Sequence, residues 1–456
     1  MEFLNYERKT DHTDIADVIA RFQSGELKGG DVVFVKGTIH RIKNMSGFSF
    51  VNVRRYGTIF QCIWEDAELG SIKDFSVEES VLIEGLLVVE ERSRLGFDIH
   101  IKSIKRLSGK AAVPPVEISN NRKIEDLNLN TLLDYRVLTL RNPKIRAIMR
   151  VCDGVMHAFR SFLREEGFTE FVPPKIVEAG AEGGADMFEI DYFGEKAYLN
   201  QSPQMYKQIM VGSLTKVYTV GPVFRAEKFS TNRHTNEFQG LDLEMGFIDS
   251  FEDLMELEAR MFRYIYDTLN REYAAELELF LGKGGRLPEL TAFPKITFTE
   301  AKQLFVQAHP GPIGQAAADE PDFNPDEEKW IGDYFNKKYH SPIVFITHYP
   351  SEKRPFYTMD DPENPGYTLS YDMLLNGLEV TTGGQRIHDY EMQVQKMKDR
   401  QMHVEDFEDY LTMHKYGIPP HGGMGLGLER IVQNILGLEN IKMATAFPRD
   451  RDRLRP

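Results

Sequence analysis

Between Phe224 and Phe238 the chain reads Phe-Arg-Ala-Glu-Lys-Phe-Ser-Thr-Asn-Arg-His-Thr-Asn-Glu-Phe, and far downstream it reads Gly425-Leu-Gly-Leu-Glu-Arg430. Arg225, Arg233, His234 and Arg430 supply cationic donors to a polyphosphate, Phe238 offers a flat face to a purine, and Glu227 can accept from an exocyclic amine. No segment of the form GxxxxGK[ST] occurs, so phosphates must be held by arginine side chains rather than by a glycine loop at a helix N-terminus. Any one of these arginines alone reads as a surface ion-pair partner. Their joint spacing, with an aromatic and an acid between them and Gly427 beside the last, reads as a site for ATP.

The elements that must position these groups differ along the chain. From Asp31 to about Leu107 come five short apolar runs, Val32–Val35, Phe48–Val53, Thr58–Trp64, Val81–Val89 and Phe97–Ile101. Alternation of this length and spacing predicts a small closed barrel, and the period alone does not separate it from a small sandwich. Residues 111–135, with Pro114-Pro115 and a polar stretch, read as a hinge. Helical spacing returns at Pro143–Glu166, where Ile145, Ile148, Cys152, Val155 and Phe159 share a face. Strand-like runs such as Val217–Val220 and Ile343–Ile346 then alternate with helices such as Ser250–Ala274. The stretch 282–345 is richer in Pro, Gly and Asp and is expected to be an insertion. An α+β chain follows, with a barrel domain at 1–110, a hinge, and a larger domain at 136–456 built on a mainly antiparallel sheet flanked by helices.

Composition narrows the class. A chain of 456 residues exceeds what one core usually supports. Cys62 and Cys152 lie far apart, without metal-ligand spacing, and suit reduced thiols in a cytoplasmic protein. No apolar run approaches the ~18 residues of a membrane span, and the acidic start is unlike a signal peptide, so no membrane partner is expected. The net charge of −15 argues against indiscriminate binding to nucleic acid. The first 110 residues are nearly neutral, so any RNA contact there must come from a local patch.

These strings resemble motifs 2 and 3 of the class II aminoacyl-tRNA synthetases. Gly167-Phe-Thr-Glu-Phe-Val-Pro-Pro174 is similar to motif 1, the dimer-forming element of that class. Ala181-Glu-Gly-Gly184, Gln201-Ser-Pro-Gln-Met-Tyr-Lys207 and Glu379-Val-Thr-Thr-Gly-Gly-Gln-Arg-Ile-His388 make the combination similar to aspartyl-tRNA synthetases of the archaeal and eukaryotic type. The resemblance covers nearly all of the chain from about residue 30. It implies that the barrel is of the five-stranded oligonucleotide-binding kind, that the protein is a homodimer, and that ATP is consumed to AMP and diphosphate.

The resemblance also implies roles. Arg225 would contact the α-phosphate and the aspartate carboxylate; Arg233, His234 and Arg430 the outer phosphates; Phe238 and Arg430 the adenine ring; and Glu227 its amino group. Arg225 and Arg430 are thus the expected catalytic pair, because adenylation draws its nucleophile from the substrate and needs positioning and charge relief. Glu379, Thr382 and Asp372 match positions that hold Mg2+, which prefers oxygen ligands. Thr382 stands where Ser is frequent, and its hydroxyl is retained. Lys207 and Arg386 would face the substrate side chain with Gln204 beside them, and Glu182 and Asp242 would lie near its ammonium group. Two cations around a small pocket suit a carboxylate, and asparagine would leave them unpaired at ~3–5 kcal/mol. Ala181 departs from the usual Ser or Thr, which predicts a weaker aspartate site of unchanged specificity.

In the barrel, Phe50 and Gln61 match an anticodon-stacking aromatic and a base-reading amide, a stack being worth ~1–3 kcal/mol per base. One of Phe48 and Phe50 is expected to be buried. Asp98 stands where a longer Glu is common. His40 replaces a tryptophan often found in enzymes restricted to tRNA(Asp), which leaves open whether tRNA(Asn) is charged too, its product then feeding an amidotransferase. The rival readings are an asparaginyl-tRNA synthetase, an enzyme making free asparagine through an aspartyl-adenylate, which the intact barrel disfavours, and a synthetase-like RNA-binding regulator without charging activity.

Overall fold

The computed structural model describes residues 13–178 and 187–456; Ala181 and Glu182 lie outside the described residues. The chain divides into two compact units, Met1–Pro143 and Lys144–Pro456.

In the first unit, β1 (Val32–Asn44), β2 (Phe48–Arg55), β3 (Thr58–Glu65), β4 (Ser80–Val89) and β5 (Phe97–Arg106) close a barrel in the order β1-β2-β3-β5-β4. Each strand alternates, so one set of side chains fills the interior: Val51 and Val53 from β2, Val81, Ile83 and Leu87 from β4, Ile99 and Ile101 from β5. Helix α1 (Ile15–Gln23) packs on this core with Ile15 and Val18 fully buried, and Phe22 meets Phe97 at 4.8 Å. Burial of such a side chain is worth about 1.5–3 kcal/mol. All five strands were legible, but β1 runs nine residues beyond its apolar start, because its second half carries Lys and Arg outward and a bulge after Ile39 re-aims it.

The second unit is built on an eight-stranded sheet. Its strands are β6 (Thr169–Glu170), β10 (Lys216–Phe224), β11 (Glu237–Gly246), β12 (Lys295–Thr297), β13 (Ile343–Thr347), β14 (Ser370–Leu375), β15 (Leu378–Gln385) and β16 (His421–Gly427). They lie in the order β12-β13-β14-β15-β16-β11-β10-β6, antiparallel except at the two ends, where β12–β13 and β10–β6 are parallel. A small sheet joins β7 (Ile176–Val177), β8 (Glu189–Tyr192) and β9 (Glu195–Leu199). The helices that matter to the site are α2 (Pro143–Glu165), α3 (Gln204–Leu214), α4 (Glu252–Glu272), α5 (Pro325–Tyr339), α6 (Tyr390–Asp399), α7 (Glu408–Lys415) and α8 (Leu428–Leu436). The apolar stripe of α2 is buried as its spacing required.

The stretch 282–345 carries the edge strand β12 and helix α5, whose Ile331 and Phe335 share a core with Val344, Ile346 and Leu374 of the sheet. The Gly383-Gly384 and Gly422-Gly423 pairs, each of which would read as a turn by itself, instead lie inside β15 and β16. A Cβ on Gly423 would collide with the Glu244 carboxylate, so glycine there makes room for a neighbour's side chain. Among the described residues no helix is long and apolar enough to cross a membrane.

Candidate active site

Register sets the site. Asp242 on β11 pairs with Gly425 on β16, Gly425 with Thr382 on β15, and Thr382 with Asp372 on β14, a row of four residues across four adjacent strands. The next row on the same face holds Glu244, Gly423, Gly384 and Ser370. Residues directly opposite share a face, and the glycines between the acids let their side chains lie over the sheet.

A cavity over this face is lined by Gln204, Lys207, Arg225, Glu227, Arg233, His234, Phe238, Asp242, Glu379, Thr382, Arg386, Gly427 and Arg430. Thirteen positions expected from the sequence thus meet in one place. Arg225 leaves β10 and lies 5.4 Å from the Phe238 ring centroid. Arg430, in the first turn of α8, donates from Nη1 to the Glu379 carbonyl at 3.1 Å and lies 3.5 Å from its carboxylate. Arg233 donates to Glu328 of α5 at 3.1 Å. His234 lies 4.0 Å from Glu227 and 2.7 Å from the Thr231 hydroxyl. Burial, with Arg430, Arg233 and Arg225 nearby, holds its imidazole below the ordinary range despite Glu227. That direction favours the uncharged, hydrogen-bonding imidazole at neutral pH.

At the other end of the cavity Lys207 is 1% exposed, a buried cation on α3. Its Nζ donates to Asp242 Oδ1 at 3.0 Å and to the Met424 carbonyl at 2.9 Å. Arg386 donates from Nε to Glu244 at 2.9 Å and from Nη2 to the Gly423 carbonyl at 2.9 Å. Its guanidinium carbon lies 5.3 Å from the Tyr357 ring centroid. The two cations converge, but they are not uncompensated. Glu244, fully buried and 3.6 Å from Lys207, answers them both. Burial would raise its pKa, but Arg386 and Lys207 outweigh burial and hold it below the carboxylate range. The sequence reading missed Glu244, although the alternation Leu241-Asp-Leu-Glu244 puts both acids on one strand face.

Glu379 and Thr382 are three apart and should face opposite sides of a regular strand. A bulge between Met373 and Leu374 shifts the register, and the Thr382 hydroxyl donates to Glu379 at 3.0 Å. Asp372 lies behind this pair and is ion-paired to Arg354 at 2.8 Å. Burial pushes the Asp372 pKa up, and Glu379 adds to that against the pull of Arg354. Two mutually repelling carboxylates beside a hydroxyl form an all-oxygen set that fits a hard divalent cation. Among the described residues no three His, Cys, Asp or Glu side chains gather closely enough to hold a metal by themselves.

In the barrel unit, Phe48 and Phe50 are both half-buried and meet at 5.2 Å, edge to face. The expectation that one of them is buried is corrected, since residues two apart on a strand share a face and Ser49 and Val51 point inward instead. Gln61 donates to both carboxylate oxygens of Asp98, at 3.2 and 3.1 Å. His40 is 4% exposed, with Arg54 3.4 Å from its Nδ1. Arg54 is held bidentately by Glu78 at 2.7 Å.

Comparison with known proteins agrees with this geometry. Residues 128–451 match the family of class II tRNA synthetases (D, K and N). The aspartate–tRNA(Asp/Asn) ligase of Deinococcus radiodurans is 41% identical over 94% of this chain and 96% of its own. The aspartate–tRNA(Asp) ligase of Thermococcus kodakarensis is 35% identical over 94% and 98%. Among solved structures, the asparaginyl-tRNA synthetase of Pyrococcus horikoshii with asparaginyl-adenylate superposes with a TM-score of 0.83 at 31% identity, covering 94% of this chain and 97% of that one. The aspartyl-tRNA synthetase of Entamoeba histolytica gives 0.84 at 28%, covering 100% and 96%. An arginine-lined cavity over a glycine-bearing antiparallel sheet and a family match across most of the second unit lead to one conclusion: the chain belongs to the class II tRNA synthetases of the D, K and N family.

Proposed function

We propose that the protein is an aspartate–tRNA ligase. The observation that carries this reading is the convergence of Lys207 and Arg386 in the same cavity as Arg225, Phe238 and Arg430. The α-carboxylate of aspartate attacks the α-phosphorus of ATP, diphosphate leaves, and the 3'-terminal hydroxyl of tRNA then attacks the carbonyl of aspartyl-adenylate and releases AMP. Arg225 bridges the attacking carboxylate and the α-phosphate, while Arg233 and Arg430 neutralise charge on the departing diphosphate. His234 adds a hydrogen bond. Phe238 carries the adenine, and Glu227 reads its amine. Glu379 and Thr382, with Asp372 behind them, would hold Mg2+, which supplies charge neutralisation to the phosphates.

The side-chain pocket selects by hydrogen-bond donors more than by net charge, because Asp242 and Glu244 already balance its two cations. Arg386 uses Nε and Nη2 within the protein, which leaves Nη1 for a substrate carboxylate. Asp242 retains Oδ2 for the ammonium group. Asparagine, turning an amide N–H toward these donors, would leave at least one unsatisfied, at about 1–3 kcal/mol or roughly ten- to hundredfold. This replaces the larger figure expected from two unpaired cations. Exchange of diphosphate into ATP that depends on aspartate tests the reading.

The outer barrel face, with Phe48, Phe50 and the Gln61 amide, suits a splayed anticodon. We extend the reading to tRNA(Asn) as well as tRNA(Asp), supported by His40 and by similarity to relatives named for both tRNAs. An amidotransferase would then consume the mischarged product. Purified tRNA(Asn) that accepts no aspartate would remove this extension. A homodimer through the Gly167–Pro174 segment is consistent with the exposure of Val172 (89%) beside β6, and a light-scattering mass of one chain would contradict it.

A further inference from the structure

We propose that His421 is a positioning residue for the aspartate pocket: through Gln208 it fixes which end of the Gln204 amide faces Arg386. The inference rests on the assignment of that pocket to aspartate.

His421 opens β16 and is fully buried. Its Nδ1 lies 2.9 Å from the Pro419 carbonyl. A carbonyl oxygen only accepts, so Nδ1 carries the hydrogen. Burial holds this imidazole down to about 4, against the opposing pull of Glu244, so the ring is neutral and Nε2 presents a lone pair. That lone pair lies 2.9 Å from the Gln208 side-chain nitrogen. Only an N–H satisfies it, and the amino end of Gln208 must therefore point to His421. Its carbonyl end, turned the other way, accepts from the Gln204 amide at 3.1 Å and from the Tyr410 hydroxyl at 3.3 Å.

Tyr410 confirms the sense of the chain. Its second neighbour is Gln393 Oε1 at 3.4 Å, and the Gln393 nitrogen is already engaged by the Phe356 carbonyl at 3.1 Å. Tyr410 thus has only acceptors before it and donates. With its nitrogen turned to Gln208, Gln204 directs Oε1 toward Arg386 Nη2, 3.5 Å away. One carbonyl, that of Pro419, sets the orientation of a ring and two amides in succession. Reversing Gln208 would place oxygen against the His421 lone pair and turn Gln204 so that an N–H faced the guanidinium. The same residue also acts from the main chain, since the His421 carbonyl accepts from Arg386 N at 2.9 Å.

The experiment is ATP–diphosphate exchange with wild type, His421→Leu and His421→Gln, each titrated separately with aspartate and ATP. His421→Leu removes both ring nitrogens, and His421→Gln returns an acceptor near the position of Nε2. His421→Leu is expected to raise KM for aspartate about tenfold, the worth of one hydrogen bond, with KM for ATP within about twofold of wild type. His421→Gln should recover most of the loss. An unchanged KM for aspartate overturns the proposal, and so does a joint rise of both constants that His421→Gln does not relieve. In wild type labelled with 15N-histidine, an Nε2–H tautomer for His421 would overturn the relay by a route independent of any substrate. Absence of aspartate-dependent exchange in wild type would instead remove the aspartate assignment.

Discussion

Glu244 holds Arg386 by its side chain, Oε1 lying 2.9 Å from Nε, and the pair sits where β16 has glycine in place of a side chain. Removing the anion that pairs with a buried cation is destabilising by ~3–5 kcal/mol. Glu244→Ala is therefore expected to lower stability by about that amount and to abolish aspartate activation. Glu244→Gln keeps an oxygen for Nε and should lose less than half as much. Urea unfolding of the two variants checks the order, and equal losses would show that charge, not the hydrogen bond, is what matters.

Arg233 donates to Glu328, and a triphosphate must compete with that carboxylate for it. Removing the charge while keeping the shape should favour ATP. Glu328→Gln is expected to lower KM for ATP by about two- to fivefold, the scale of a partly screened ion pair, and to leave KM for aspartate unchanged. A raised KM for ATP would mean that Glu328 supports the nucleotide instead of competing with it.

Glu429 is 2% exposed and accepts from Gln239 N at 3.1 Å, tying α8 to β11. Burial, with Glu237 nearby, pushes its pKa up to about 7. A carboxyl group raised on folding contributes stability that is fully present below its unfolded value of about 4.5 and is lost as pH rises through about 7. Glu429→Gln removes this dependence. Relative to wild type the variant should gain on the order of 3 kcal/mol between pH 4.5 and 7, read as urea midpoints that separate with rising pH. A difference that stays constant over that window would contradict the assignment.

Thr382 donates to Glu379 across the β14–β15 bulge. Replacing the hydroxyl by a methyl should raise the Mg2+ concentration needed for half-maximal diphosphate exchange by about tenfold in Thr382→Val, the worth of one lost ligand contact. Thr382→Ser should stay near wild type. An unchanged Mg2+ requirement in both would place the metal elsewhere.

Much of this molecule was legible because its signals are local. The five barrel strands announce themselves by alternation, and the arginines of the nucleotide site by their spacing around Phe238. What stayed hidden depends on register. Glu379 and Thr382 share a face only because the bulge lies between them and their partner strand. Glu328 reaches Arg233 from a helix far along the chain, with no local mark. A Gly-Gly pair is a weak signal by itself, and nothing near Gly423 in the sequence shows that Glu244 from another strand needs the space. His421 carries no signal of its own either, since its role follows from the Pro419 carbonyl and two glutamines that only the fold brings into line.

The Lys207–Arg386 end of the cavity is proposed to take aspartate. The direct measurement is ATP–diphosphate exchange with aspartate and with asparagine as alternative substrates, in wild type and in Lys207→Met. Exchange with aspartate is expected to be at least about tenfold faster than with asparagine, and Lys207→Met to lose that preference. Faster exchange with asparagine by the wild-type enzyme would contradict it.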